Sequence, residues 1–122
     1  WSAHKLESLT RHRVRHGEAV AIGIALDTRY SVLAGLLPEG ADLEVATLLE
    51  QLGFRLWHPA LLRGDAAARP AILAGLDEFR EHLGGELTVT LLRDLGRGVE
   101  VHAMDAERVM AAARWLQARE QD

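Results

Sequence analysis

Cysteine is absent from this 122-residue chain. Disulfides and thiolate metal sites are therefore excluded, which suits a cytosolic protein. Long apolar runs are also missing. The longest, Ala19 to Leu26, covers eight residues and falls far short of the ~20 needed to span a bilayer. No secretory signal is visible, so neither a membrane partner nor export is expected. The net charge of −4 gives no bulk electrostatic case for nucleic acid. Lys5, Arg11, Arg13 and Arg15 make one local basic patch, read as a solvated turn. Internal repeats and low-complexity segments are absent. So is a glycine-rich phosphate loop, because Gly96-Arg97-Gly98 lacks the third glycine and the following helix. A nucleotide cofactor has to be held elsewhere. Ser2, Ser8 and Ser31 lack a glycine elbow, so no activated nucleophile stands out. The chain opens on Trp1 without an initiator methionine, and Leu6 and Leu9 already show helical spacing behind it. We therefore expect a piece of a longer protein.

With 48% apolar and 26% charged residues, the composition is that of one folded domain with a real core. Residues 2 to 12 read as a helix tail, followed by a basic connection from Arg11 to Arg15. Gly17 opens a second helix, with Glu18 favoured in its first turn by the helix dipole. That helix should run to about Leu37 and stop at Pro38-Glu39-Gly40. Val20, Ile22, Ile24 and Leu26 point in all directions, so it is expected to be buried on most sides. Small residues at Gly17, Ala19, Ala21, Gly23 and Ala25 allow close approach of a neighbouring backbone or of a ligand.

Asp42 reads as the N-cap of a third helix ending near Leu52, with Gly53 as its stop. Phe54 to Leu62 is a loop or short helix over the core, and Arg63 to Arg69 a surface connection. Pro70 starts a fourth helix, whose Ile72, Leu76, Phe79 and Leu83 share a face and which Gly84-Gly85 ends. Leu87 to Leu91 and Val99 to His102 alternate as half-buried strands, joined through Arg93 to Gly98 into a hairpin. Asp105 caps a last helix bearing Val109, Ala113 and Leu116. The expected fold is mainly α: a helical domain over residues 1–122 of about five helices with one small antiparallel β-hairpin.

Of the six histidines, His12, His58, His82 and His102 are scattered over a turn, a loop, a helix end and a strand. His4 and His16 differ in that both abut the buried helix. If the first two helices pack antiparallel, the two imidazoles can face a common cleft. Imidazole suits a zinc-type ion, but a catalytic zinc usually takes three protein ligands. Two histidines alone leave that site short, with Glu18 available as an oxygen ligand or as a partner that fixes a histidine tautomer.

Ala3-His4-Lys5-Leu6-Glu7, followed by His16-Gly17-Glu18-Ala19-Val20-Ala21-Ile22-Gly23, resembles the signature of the 3-dehydroquinate synthase and wider sugar phosphate cyclase family. The resemblance covers essentially the whole chain and is strongest from His4 to Gly35. It implies the helical C-terminal domain of such an enzyme, a carbon–oxygen lyase of the shikimate route to aromatic amino acids. An NAD-binding α/β domain would precede it. His16 would be a zinc ligand and His4 a catalytic residue at the substrate, with Glu18 supporting the site from behind. The family's other zinc histidine would fall just ahead of Trp1.

The implied chemistry has NAD transiently oxidise a hydroxyl of a sugar phosphate, phosphate is eliminated, and the ring closes by an aldol step. The lysines that family members carry ahead of the hairpin are missing from Phe79-Arg80-Glu81-His82-Leu83-Gly84-Gly85, so Arg80 or His82 would have to contact the substrate. That departure admits a cyclase for another sugar phosphate in secondary metabolism, while a non-catalytic helical interaction module is the alternative of a different class. The expected partners are a phosphorylated sugar, the cofactor domain and a second copy in a homodimer of the full enzyme. Alone, this chain is expected to bind neither zinc nor NAD tightly, and to be inactive.

Overall fold

A computed structural model describes residues 1–64 and 69–121. It holds helices α1 (Ser2–Leu9), α2 (His16–Leu33), α3 (Ala41–Gln51), α4 (Ala74–His82) and α5 (Ala106–Gln121), and strands β1 (Val89–Asp94) and β2 (Arg97–Val101). Short 3-10 turns lie at Pro59–Leu62 and Ala71–Leu73. The mainly helical architecture with one hairpin is as expected. Residues 65–68 of the expected surface connection, and Asp122, lie outside the described residues.

The organising element is α2, which packs against α1, α3, α5 and β1. Its apolar residues have no single side, and Ala19, Ala21, Ile22, Ala25, Leu26 and Tyr30 are all buried. The small-residue pattern acts at Gly23. A Cβ there would sit 3.1 Å from Ser2 Oγ and 3.7 Å from Ala3 Cβ, so α1 approaches closely only because the side chain is missing. Around this contact Leu6, Leu26, Leu61, Ile72 and Leu116 close the main core, while the hairpin packs Leu87, Val89 and Leu91 with Tyr30, Leu76 and Val109 into a second cluster.

Several element ends differ from expectation, each for a local reason. Helix α1 ends at Leu9, where Thr10 Oγ1 donates to the Leu6 carbonyl and accepts from the Val14 N–H, and Arg11 and His12 turn left-handed. Helix α2 stops at Leu33 rather than near Leu37, because Gly35 adopts φ +76° in the cap geometry that glycine permits. Pro70 precedes a 3-10 turn, and α4 proper begins at Ala74. The hairpin is tighter than expected: Asp94 pairs with Arg97 across Leu95-Gly96, with Gly96 at φ +82°. Asp105 caps α5 as expected, its Oδ1 accepting from the Glu107 N–H at 2.9 Å. Among the described residues no helix is long and apolar enough to cross a membrane.

Asp42 is not an N-cap. Gly40 occupies that position, and Asp42 lies inside α3, 2% exposed, accepting from Arg29 Nη1 at 2.6 Å. The Arg29 guanidinium also lies 4.8 Å from the Trp115 ring centroid. One arginine of α2 thus ties α3 to α5. Removing one partner of a buried pair leaves the other charge uncompensated. Asp42→Ala is therefore expected to lower unfolding free energy in urea by about 3 kcal/mol; a loss under ~1 kcal/mol would show that water takes over the arginine.

Candidate functional site at the junction of helices α1, α2 and α4

The close α1–α2 contact sets what the chemistry-bearing side chains can reach. His16 is the first residue of α2, its side chain 69% exposed, and its Nδ1 lies 3.0 Å from Glu7 Oε1. A carboxylate can only accept, so Nδ1 is the donor of this pair, and a neutral ring keeps its lone pair on Nε2. The same carboxyl group turns its other oxygen toward His4 Nδ1, 3.9 Å away. Glu7, 12% exposed in its side chain, therefore stands between the two histidines. In the sequence Glu7 had stood only as the last residue of the Ala3-His4-Lys5-Leu6-Glu7 motif; its i+3 relation to His4 was the available signal. Glu18 is exposed in the first turn of α2 and makes no hydrogen bond or ion pair among the described residues. Its position favours the helix start.

His4 is 84% exposed in its side chain and lines a cavity of about 320 Å³ together with Trp1, Lys5, Gly75, Glu78, Phe79 and His82. Of the two residues expected to replace the missing lysines, His82 lines this cavity and Arg80 does not. Arg80 is exposed and faces Asp77 at 3.7 Å, because the last turn of α4 carries it around to the outer side. The cation of the cavity is Lys5 instead. Its side chain is only 13% exposed and its Nζ donates to Glu78 Oε1 at 2.7 Å. Gly75 makes this possible, since a Cβ there would lie 2.9 Å from Lys5 Cβ and 3.3 Å from the Trp1 ring. Neither Lys5 in this role nor Gly75 was legible from spacing.

Trp1, one wall of the cavity, is held by its indole N–H, which donates to Asp27 Oδ1 at 3.1 Å. Burial raises the Asp27 carboxyl from 3.8 to about 6, against the opposing pull of the amino terminus and of the Trp1 hydrogen bond. The remaining histidines are spent on structure or stand apart. His102 Nδ1 lies 2.9 Å from the Leu87 carbonyl at the base of the hairpin, and His58 Nδ1 accepts from the Ala60 N–H at 3.0 Å. His12 is exposed in the turn after α1.

Among the described residues, no group of three His, Asp or Glu side chains is arranged to hold a metal. The chemistry of His16 nonetheless fits a metal ligand: an exposed imidazole with a carboxylate behind Nδ1 is the arrangement that fixes ring orientation and raises ligand basicity. It would be one ligand, and others would have to come from outside these residues. No part of the described structure has the strand–helix geometry of a dinucleotide site.

The fold and this junction define a helical domain that presents imidazoles and a lysine at the mouth of a buried helix. A family model described as 3-dehydroquinate synthase C-terminal matches residues 1–73, and the chain belongs to that family. It is 32% identical to a 3-dehydroquinate synthase from Mesorhizobium japonicum over 91% of this chain and 30% of the relative. It is 28% identical to a 2-epi-5-epi-valiolone synthase from Streptomyces glaucescens over 94% of this chain and 29% of that protein. Among solved structures it matches a 2-epi-5-epi-valiolone synthase from Streptomyces hygroscopicus subsp. jinggangensis with NAD+ and Zn2+ bound. That match has a TM-score of 0.80 and 27% identity, over 93% of this chain and 30% of that one. The chain thus spans about 30% of the length of the relatives it matches.

The raised Asp27 carboxyl makes stability pH-dependent. A group whose folded-state pKa is raised favours the protonated form in the folded protein, so the stability it contributes is present at low pH and is lost as pH rises through the folded value. For Asp27 the window runs from 3.8 to about 6, and the loss is on the order of 1–3 kcal/mol. Asp27→Asn keeps an acceptor for Trp1 and removes the charge. Thermal melts should show the variant gaining on the parent between pH 4 and pH 7; a constant difference across that range would contradict the assignment.

Proposed function

We propose that this chain is the helical, substrate- and metal-side domain of an NAD- and zinc-dependent sugar phosphate cyclase of the 3-dehydroquinate synthase type. The observation that carries the reading is the pairing of Glu7 with His16 beside the cavity that His4, Lys5 and His82 line. Bound there, a zinc-type ion would supply Lewis acidity toward substrate oxygens, and NAD held by a separate domain would supply reversible hydride transfer.

The chain's own residues do the rest. Glu7 holds the His16 imidazole in one tautomer and leaves Nε2 as the ligand atom. His4, at the rim, offers a titratable nitrogen to a leaving group or hydroxyl of the substrate. Lys5 and His82 donate to the anionic or hydroxylated end, while Phe79 and Trp1 exclude water from one side of the cavity. Glu18 stabilises the start of α2 through the helix dipole, which keeps His16 in place.

One observation favours a second reading within the same chemistry. The segment Phe79 to Gly85 brings no lysine to the cavity; among the described residues its lining includes Glu78 and Phe79, and its lysine is Lys5 on α1. A carboxylate beside the cation lowers the net positive charge offered to the substrate. That arrangement suits a sugar phosphate with fewer anionic groups than the precursor of dehydroquinate, such as the substrate of a valiolone-forming relative.

The test joins this chain to the cofactor domain of the Mesorhizobium relative and follows phosphate release from a panel of sugar phosphates. We expect NAD- and zinc-dependent release, reduced at least 100-fold by His16→Ala, a loss of about 3 kcal/mol of transition-state stabilisation. Release that is indifferent to His16→Ala would overturn the proposal, and no release from any sugar phosphate would favour a non-catalytic helical module.

A further inference from the structure

Of the basic patch Lys5, Arg11, Arg13 and Arg15, the function above uses only Lys5. The structure divides them. Lys5 belongs to the cavity of α4, whereas Arg11 and Arg13 lie at the opposite end of α1. There they line a separate cavity of about 350 Å³ with Leu9, Thr10, His58 and Arg63. We propose that this cavity is a binding site for a phosphoryl group, distinct from the site that contains His4 and His16.

Three independent features support the assignment. Among the described residues the lining holds three guanidinium groups and no carboxylate, and neither Arg11 nor Arg13 has an acidic partner there. Arg63 is fixed by donating from Nη1 to the Leu9 carbonyl at 2.7 Å, which leaves its remaining N–H groups for a planar, bidentate contact with an oxyanion. His58 contributes a neutral donor. Its Nδ1 accepts from the Ala60 N–H at 3.0 Å, so the ring proton sits on Nε2.

Backbone geometry adds a further argument. Arg11 and His12 adopt φ +52° and +62°, a left-handed conformation that costs a non-glycine residue on the order of 1 kcal/mol. Glycine would close this turn more cheaply, as it does after α2, α3 and α4, where Gly35, Gly53 and Gly84 have positive φ. A side chain kept at such a cost is expected to do something there. The electrostatics agree: His58 is held below its ordinary value by burial first and then by the charges of Arg63 and Arg55. Arg55 is itself paired with Glu120, so the positive potential of the cavity comes from Arg11, Arg13 and Arg63.

The test is a titration of the 122-residue chain with inorganic phosphate at constant ionic strength, followed by NMR of the backbone and of the His58 ring. We expect saturable shifts confined to residues 10–14 and 58–63, together with an upward move of the His58 titration. Arg11→Gly relieves the left-handed strain, so its melting temperature should equal or exceed that of the parent while phosphate affinity falls at least fivefold. Arg13→Ala, which leaves the turn backbone intact, should weaken binding threefold or more. Competition by glucose 6-phosphate assigns the site to a carried phosphoryl group and its absence to the free ion; either result supports the site. Equal shifts with chloride alone, or parental phosphate affinity in Arg11→Gly, would overturn it.

Discussion

The approach of α1 to α2 over Gly23 is the contact on which the rest of this structure depends. With Ser2 Oγ only 3.1 Å from the place a Cβ would occupy, the two helices meet at near-backbone distance. That spacing lets a residue as short as Glu7 span from α1 to the first residue of α2. It also sets the opposite face of α1 against α4, where Gly75 removes a second side chain so that Lys5 and Trp1 can lie across the helix. Two missing side chains thus position both the imidazole pair and the cavity beside it. Packing comes first, and the arrangement of polar groups follows from it.

Charge is handled in two different ways inside the same fold. Arg29 and Asp42 are buried as a pair, and the arginine is sandwiched further by Trp115, which also carries Arg119 at 5.7 Å. Arg119 in turn reaches Glu50 and Thr47 of α3. This seam links three helices through groups that specify their register, as buried charge pairs can. Among the described residues no cationic side chain pairs with Asp27, and burial raises its carboxyl to about 6. The contrast shows where desolvation is compensated and where it is answered by holding the proton.

Much of the architecture was legible because it rests on local patterns. The nearly all-apolar stretch of α2, the alternation of Leu87 to Leu91, the Gly84-Gly85 stop and the Asp105 cap each state their structure within a few residues. Asp42 misled because a residue in the first turn of a helix and a cap look alike in sequence; its true partner, Arg29, lies 13 residues away. The end of α2 was misplaced because Pro38 is the louder signal, while Gly35 acts first. The structure brings His4 and His16 to the two sides of Glu7, at the junction that the sequence pointed to. Spacing did not single out Glu7, Lys5 and Gly75, whose contacts depend on how three helices face one another. Arg80 illustrates the same limit: it has the right charge in the right segment, but on the outer side of α4.

The proposed function rests on Glu7 orienting the His16 imidazole at the mouth of α2. Nitrogen-15 NMR of the His16 ring at a pH where the imidazole is neutral tests this most directly. The account predicts the Nδ1–H tautomer in the parent chain and loss of that preference in Glu7→Ala, with the fold otherwise intact by circular dichroism. A dominant Nε2–H tautomer in the parent, or a tautomer indifferent to Glu7→Ala, would contradict it.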